Sequence, residues 1–212
     1  MNLIQTQIAY FFKNDYVKDF EWFSLALKEI FGKSVKTLQI PIPENEPSEI
    51  PRLTLNYTGF NINVAKNRLD VFILDQGLLD EIKTPITEKV FSKLDINIGR
   101  LGYIKTYFKT STIIEIKRGL NSTLQKKDFK EVNIRVSETI EVNQTSCNSI
   151  EKVDFGKATK NNEDGKAIDI EGQIIQRDMN TSSDIDVTFS PSEMLTLLNE
   201  FDIAAKTRIL NL

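Results

Sequence analysis

The organisation of this chain centres on residues 100–119, which read RLGYIKTYFKTSTIIEIKRG. β-Branched and aromatic residues dominate both halves of this stretch, a composition typical of strands. The pattern predicts two strands joined at residues 109–111, forming the central pair of a sheet and the hinge between two halves of the chain. The first strand carries apolar residues on both faces, Leu101, Tyr103 and Tyr107 on one and Ile104 and Phe108 on the other. We therefore expect that strand to be covered on both sides.

Before this stretch, the first fifty residues predict a strand, a helix and a connector. The β-branched and aromatic run at 3–12 indicates the strand. Apolar residues then recur at spacings of three and four, so a helix is expected with Asn14 or Asp15 as its N-cap and Gly32 at its end. Four of the six prolines fall in residues 33–51, which predicts an extended connector because proline lacks the donor that a helix needs.

Residues 52–74 predict a three-stranded antiparallel meander. Apolar and polar residues alternate in three runs, as they do in strands with one buried face and one wet face. Gly59 and residues 66–67 lie between the runs, and glycine and asparagine tolerate the positive φ of tight turns. The sequence therefore places both reversals of the meander at these points.

Residues 78–98 show helical periodicity with one interruption. Apolar residues recur on one face, but Pro85 breaks the hydrogen-bonding pattern. Because proline is favoured at the first position of a helix, we expect a short turn and then a main helix from about 85 to 97. Gly99 is expected to end it.

The second half of the chain predicts more strands and a closing helix. Alternation indicates strands at 131–142 and 184–189, and a long hairpin formed by 149–159 and 166–178. Ser190 begins the sequence Ser-Pro-Ser-Glu, a capping box with proline at the first helical position. The helix that follows is expected to run nearly to the C-terminus and to pack on a sheet.

These elements predict an α+β fold, with antiparallel sheets, helices packed on them and a long C-terminal helix. The N-terminal half, 1–110, contains strand, helix, meander, helix and strand. The C-terminal half, 111–212, contains antiparallel strands and the closing helix. The two halves are expected to be separate units or one continuous domain.

Composition restricts the chemistry that this chain can perform. It has no histidine, which excludes Ser–His and Cys–His nucleophilic mechanisms and histidine-ligated metal sites. Cys147 is its single cysteine, so no intrachain disulfide can form, and a reducing cytoplasm is the expected location. The formal net charge is −3 with both signs interspersed, so no general attraction to nucleic acid or anionic membrane is expected. No apolar run approaches the roughly 18–20 residues that span a bilayer.

The order of several motifs carries a family resemblance. The motifs are the meander GFNINVAKNRLDVFIL, the strand IGRLGYI, the acidic-hydrophobic stretch DIDV and the long closing helix. This order, from about Leu53 to Ile209, resembles an uncharacterised, sporadically distributed bacterial and archaeal protein family. The resemblance implies a fold, leaves the function open and implies no catalytic residues.

One spacing in the 100–119 stretch matches a catalytic signature. Glu115 and Lys117 lie two residues apart, so on a strand both side chains would project from one face. In metal-dependent nucleases such a Glu-x-Lys pair holds Mg²⁺ or Mn²⁺ and orients water. A further acid is needed, and Asp70 or Asp95 would have to supply it because residues 100–109 contain none. The alternative is an exposed ion pair on a strand, a common feature in a chain that is 27% charged.

Other chemically distinctive residues have ordinary structural explanations. The carboxylate pairs Asp169/Glu171 and Asp184/Asp186 alternate with apolar residues, so the acids are expected to face water. Trp22 lies beside the apolar stripe of the first helix, and we expect it to be a partly buried packing residue.

The sequence favours a non-enzymatic protein-interaction or scaffold module that acts through a sheet face, an edge strand or the C-terminal helix. The expected partner is another protein or a second copy of the chain, with no membrane and no nucleic acid. No cofactor is expected. The alternative function is the nuclease built on Glu115 and Lys117, which would require Mg²⁺ or Mn²⁺.

Overall fold

The computed structural model describes residues 1–112, 114–115, 131–161 and 167–206. For residues 156–161 and 167–170 it describes the backbone only. Within these residues the strands are β1 (Asn2–Phe12), β2 (Lys36–Gln39), β3 (Leu53–Tyr57), β4 (Phe60–Val64), β5 (Arg68–Ile73), β6 (Ile98–Thr110), β7 (Val132–Val142), β8 (Thr145–Asn161) and β9 (Ala167–Thr181). The helices are α1 (Glu21–Phe31), α2 (Leu79–Pro85), α3 (Phe91–Leu94) and α4 (Pro191–Ala204), with a 3-10 turn (Gln76–Leu78) before α2 and a π-helical segment (Ile86–Val90) after it.

The described strands form one sheet, in the order β2-β3-β4-β5-β1-β6-β9-β8-β7, and every neighbouring pair is antiparallel. β6 lies inside this sheet, paired with β1 on one side and with β9 on the other. The α+β prediction and the central position of the first strand of the 100–119 stretch are therefore confirmed. The sheet crosses the predicted boundary between 110 and 111, because β6 pairs with β9 along nine residues.

The helices cover one face of the sheet, which we call the inner face. Tyr10 on β1 packs against Phe91 on α3 with ring centroids 4.9 Å apart, and Phe12 packs against Phe23 on α1 at 5.9 Å. Tyr103 on β6 is also fully buried on this face. The face thus forms the hydrophobic core, and on the opposite, outer face of β6 the side chains of Ile104 and Phe108 are only half-buried. β6 was expected to be covered on both sides, but only its inner face is fully buried.

The predicted meander is confirmed, and so are the two strands of the predicted long hairpin in the C-terminal half. β3, β4 and β5 pair in sequence order, and Gly59 adopts a φ of 83° at the first reversal. β8 and β9 form the predicted long hairpin. The residues of its turn, 162–166, lie outside the described residues.

The first helix begins later than its sequence pattern predicts. Neither Asn14 nor Asp15 caps it, because long-range backbone hydrogen bonds hold the preceding segment outside a helix. The amide of Tyr16 donates to the carbonyl oxygen of Lys66 at 2.6 Å. Helix α1 starts only at Glu21, while Gly32 at a φ of 94° ends it as predicted.

The second helical region differs from prediction at Pro85. This proline closes α2 instead of starting a new helix, and the backbone continues through the π-helical segment into α3. Pro85 has no amide to donate to the carbonyl four residues earlier, and the change from α-helical to π-helical bonding follows directly after it. Asp95, in left-handed conformation with a φ of 56°, ends the region. Gly99 belongs to β6 instead of ending a helix.

The final predicted strand, 184–189, is wrong. Its backbone pairs only at Phe189, which forms an isolated bridge with Ile98. The capping box at Ser190 is confirmed, since its side chain accepts from the Glu193 amide and the Glu193 carboxylate accepts from the Ser190 amide. Helix α4 ends at Ala204, so it is shorter than expected within the described residues, and the predicted extension over 207–212 lies outside them.

Candidate functional site

The structure does not place Glu115 on a strand. Ile114 and Glu115 have helical backbone, and the Glu115 carboxylate accepts a hydrogen bond from the Thr112 amide at 2.8 Å. The carboxylate therefore caps the turn that follows β6, and the predicted second strand is wrong at these residues. Lys117 lies outside the described residues.

Asp70 occupies a structural position on the outer face of β5. Only 3% of it is exposed. It pairs with the Arg68 guanidinium at 2.8 Å and accepts a hydrogen bond from the Gln7 side chain at 3.1 Å. Burial raises the pKa of Asp70, and the charge of Arg68 opposes that rise.

Neither candidate acid approaches Glu115. Asp70 on β5 is opposite Ala9 of β1, and Ala9 is opposite Gly102 of β6, so Asp70 and Gly102 occupy the same level of the sheet. Eight residues of strand separate Gly102 from Thr110, a distance of about 26 Å at 3.3 Å per residue. Asp95 precedes β6 and is farther still from the end of that strand. In the part of the chain that the structure describes, no group of three or more aspartate, glutamate or cysteine side chains could hold a metal ion.

The other residues singled out from the sequence also lie apart from any catalytic arrangement. Asp184 and Asp186 lie in the loop before α4, where Asp186 pairs with Lys13 at 2.9 Å. Glu171 is exposed as expected, whereas the side chain of Asp169 lies outside the described ones. Cys147 is buried in the core, and this burial raises the pKa of its thiol to about 11. A thiol with that pKa stays protonated and unreactive at neutral pH.

A row of polar side chains crosses the inner face beneath the end of α4. Thr6, Lys105, Arg177 and Glu151 are directly opposite one another on β1, β6, β9 and β8. All four are at most 5% exposed. Buried charges are tolerated in proteins only when they are paired. Arg177 and Glu151 pair with each other within the row, with Nε and Oε2 3.5 Å apart, so Lys105 is the charge that needs a partner from the layer above.

Helix α4 supplies the partner of Lys105 through Asp202. Its carboxylate bonds the Lys105 ammonium at 2.5 Å, the Tyr103 hydroxyl at 2.5 Å and the Lys206 ammonium at 2.9 Å. Burial would raise the pKa of Asp202, but these bonds prevail and lower it to about 2. Nearby, the Arg177 guanidinium donates to the carbonyl oxygen of Ala205 at 2.8 Å. The arrangement fastens the last turn of α4 to the middle of the sheet.

An exposed apolar surface lies on helix α1, away from the residues that α1 buries against the sheet. Trp22 and Leu25, one turn apart on α1, are 59% and 52% exposed. They line a groove of about 730 Å³ whose other lining residues come from α1, the residue after its C-cap and α3: Ala26, Lys28, Glu29, Lys33, Lys93 and Leu94. We call this surface the α1–α3 groove. Tryptophan is enriched at protein–protein interfaces relative to the rest of the protein surface.

The charges at the rim of the α1–α3 groove are mostly positive. Lys93 and Glu29 form a salt bridge with each other, which leaves the rim with the charges of Lys28 and Lys33. Lys28 also lies in the last turn of α1, where a cation is favoured by the helix dipole. The groove thus combines an apolar floor with a basic rim.

The sequence interpretation of Trp22 was wrong, and the signal that would have corrected it is present in α1. The stretch EWFSLALKEIF contains more apolar residues than one buried stripe can use. Phe23 and Leu27 are fully buried, whereas Trp22 and Leu25 lie off that face. Two apolar residues one turn apart outside the buried stripe of an amphipathic helix form a second, exposed apolar surface.

Comparisons with known proteins do not extend these observations. No family model matches the sequence, and no curated protein matches it, so the family resemblance noted above stays a prediction. Among the described residues, none of the helices combines the length and the apolar character that crossing a membrane requires.

Proposed function

We propose that this protein is a non-enzymatic interaction module that binds an acidic, amphipathic segment of a partner protein in the α1–α3 groove. The observation that supports the proposal is the pair of exposed apolar side chains, Trp22 and Leu25, that line a groove with a basic rim. The apolar side chains of the segment would cover this pair, and its acidic side chains would face Lys28 and Lys33.

The energetics of interfaces favour this division of roles. Tryptophan is among the residues that most often dominate binding energy, because it buries a large area with few rotatable bonds. Rim charges such as Lys28 and Lys33 contribute mainly to association rate and to the choice of partner. Binding should therefore depend strongly on Trp22 and should weaken as salt is added.

The nuclease alternative receives no such support from the geometry. Glu115 caps a turn, and both Asp70 and Asp95 lie far along the sheet from it. We therefore propose the binding function alone.

The test is selection of peptides from a random display library on the immobilised full chain, followed by titration of the selected peptides. Trp22 is the only tryptophan, so its fluorescence reports directly on occupation of the groove. We expect acidic amphipathic sequences that shift this emission. Leu25→Ala should weaken their binding at least about tenfold, as expected when an apolar side chain covered by the peptide is truncated.

A matched control is available on α4. Ile203 is 58% exposed, close to the exposed fraction of Trp22, but it lies outside the groove. Ile203→Ala should leave peptide binding unchanged, whereas Lys28→Glu together with Lys33→Glu should weaken it. Selected peptides without acidic residues, or equal affinities for Leu25→Ala and Ile203→Ala, would refute the proposal.

A further inference from the structure

β7 forms one edge of the described sheet, and it is a long and regular edge. Its eleven residues pair with β8 in one continuous register, from Val132 opposite Phe155 to Val142 opposite Thr145. It contains no proline or glycine, and no bulge interrupts it. Natural edge strands are normally shortened, bulged or interrupted to prevent pairing with other chains. The opposite edge, β2, follows that rule, with only four residues.

The turn after β7 determines which backbone groups face outward. Asn143 and Gln144 both have positive φ, 48° and 61°, which is the geometry of a two-residue type I′ turn. In such a hairpin the flanking residues, Val142 and Thr145, form a hydrogen-bonded pair. Bonded and non-bonded positions then alternate along the strand. The even-numbered residues of β7 bond to β8, and five odd-numbered residues direct their N–H and C=O groups away from it: Asn133, Arg135, Ser137, Thr139 and Glu141.

We propose that a second copy of this chain occupies this edge, with the two β7 strands antiparallel about a two-fold axis at Ser137. This arrangement uses all five outward-facing residues of each copy and forms about ten backbone hydrogen bonds. It joins the two sheets into one continuous sheet. The interface is the same surface on both copies, as two-fold symmetry requires.

The side chains of β7 fit this register and oppose its neighbours. Arg135 lies diagonally across from Glu141 of the second copy, within reach of long side chains. On the inner face, Ile134 lies opposite Ile140 of the second copy, and both are only half-buried in one chain. A shift of two residues in one direction places Arg135 diagonal to itself and separates it from Glu141, so the charges disfavour that register. A shift in the other direction places Glu138 opposite itself but also places Arg135 directly opposite Glu141. The cysteine variants described below distinguish this second register from the one centred on Ser137.

Sedimentation equilibrium of the full chain over about 1–200 μM should show a dimer that dissociates on dilution, as expected for an interface that is mainly one strand pair. Ser137→Pro should abolish the dimer. The variant removes an outward-facing N–H at the centre of the interface, and the bonds between β7 and β8 do not use that group. Ser137→Ala keeps the N–H and should remain dimeric. A wild-type chain that stays monomeric throughout the range would overturn the proposal.

Two further sets of variants test the pairing of the β7 strands, and neither requires the proline variant to fold. Arg135→Glu and Glu141→Arg should each weaken the dimer, and the double variant should restore it. Ser137→Cys should form an intermolecular disulfide on oxidation, because paired residues in this register lie about 5.5 Å apart at Cα. Thr139→Cys is the matched control, since its two copies would lie about 14 Å apart.

The native Cys147 is buried and should not contribute to crosslinking. Equal crosslinking of the two cysteine variants, or a double charge variant as weak as the single ones, would show that β7 does not pair in this way.

Discussion

Replacing Asp202 by asparagine should remove the main attachment between α4 and the sheet. The substitution keeps the shape of the side chain but removes the charge that Lys105, Tyr103 and Lys206 share. Lys105 is 5% exposed, so it would be left as a buried cation without an anionic partner. Breaking a buried ion pair on one side costs more than the pair itself contributes, because the remaining charge cannot be solvated.

The magnitude follows from the pKa of Asp202 and from the burial of Lys105. The shift of that pKa from 3.8 to about 2 corresponds to about 2 kcal/mol of stability at neutral pH. The unpaired Lys105 adds to this loss, so we expect Asp202→Asn to lower the free energy of unfolding by about 3–5 kcal/mol at pH 7. Because the native pKa is lowered, the carboxylate's contribution is present above pH 4 and is lost as the pH falls towards 2.

Urea unfolding of wild type and variant at pH 7, 4 and 2.5 measures both effects. The difference in unfolding free energy should be largest at pH 7 and should shrink at pH 2.5. Other acids with shifted pKa values, such as Asp70 and Asp178, titrate in both proteins and cancel in the difference. Lys206 is 62% exposed at its side chain, so Lys206→Met should cost less than about 1 kcal/mol. A loss below about 1 kcal/mol for Asp202→Asn at pH 7, or a difference independent of pH, would refute this account of the cluster.

Four other substitutions test local features of the fold by urea unfolding. Gly172→Ala should destabilise by about 1–3 kcal/mol, because a Cβ there would lie 2.5 Å from the Phe108 ring; a neutral result would mean that this ring moves freely. Gln144→Gly should stabilise by about 0.5–1 kcal/mol, since glycine adopts its φ of 61° without strain, and a loss of stability would argue against the type I′ turn. Phe23→Ala should cost about 3–5 kcal/mol, while Trp22→Ala should cost far less because Trp22 is mostly exposed; similar costs would contradict that exposure.

The parts of the fold that could be predicted from sequence are those that local chemistry determines. Alternation located the strands of the meander, because one face of each strand must be buried. Gly32, Gly59 and Ser190 marked their turns and cap correctly, since positive φ and N-capping restrict the residue type. These signals depend only on neighbouring residues.

The errors occurred where a distant part of the chain overrides a local pattern. The segment at Tyr16 has helical spacing, but its amide bonds to Lys66, fifty residues away in sequence. At residues 184–189 strand alternation is present, yet no neighbouring strand is available except at the bridge to Ile98. Spacing alone cannot indicate whether a backbone partner exists.

In the candidate site, too, the errors arose where residues distant in sequence or the turn geometry determine the contacts of a side chain. Glu115 has the spacing of a catalytic pair, but Thr112 three residues earlier gives its carboxylate a partner within a turn. The polar row on the inner face was not predicted, because it depends on the strand order that places Lys105 beside Arg177. Strand order is a long-range property that periodicity does not encode.

The strand order also determines where this protein can bind other molecules. The polar row on the inner face and the last turn of α4 occupy the middle of the sheet. There Lys105 pairs with Asp202, and Arg177 pairs with Glu151. The α1–α3 groove and β7 remain exposed, and they use different chemistry. Binding in the groove depends on side chains and on the charges of its rim, so added salt should weaken it. Pairing of β7 depends mainly on backbone hydrogen bonds, so salt should affect it less. Measuring peptide binding and self-association across the same salt series would therefore separate the two surfaces in the intact chain.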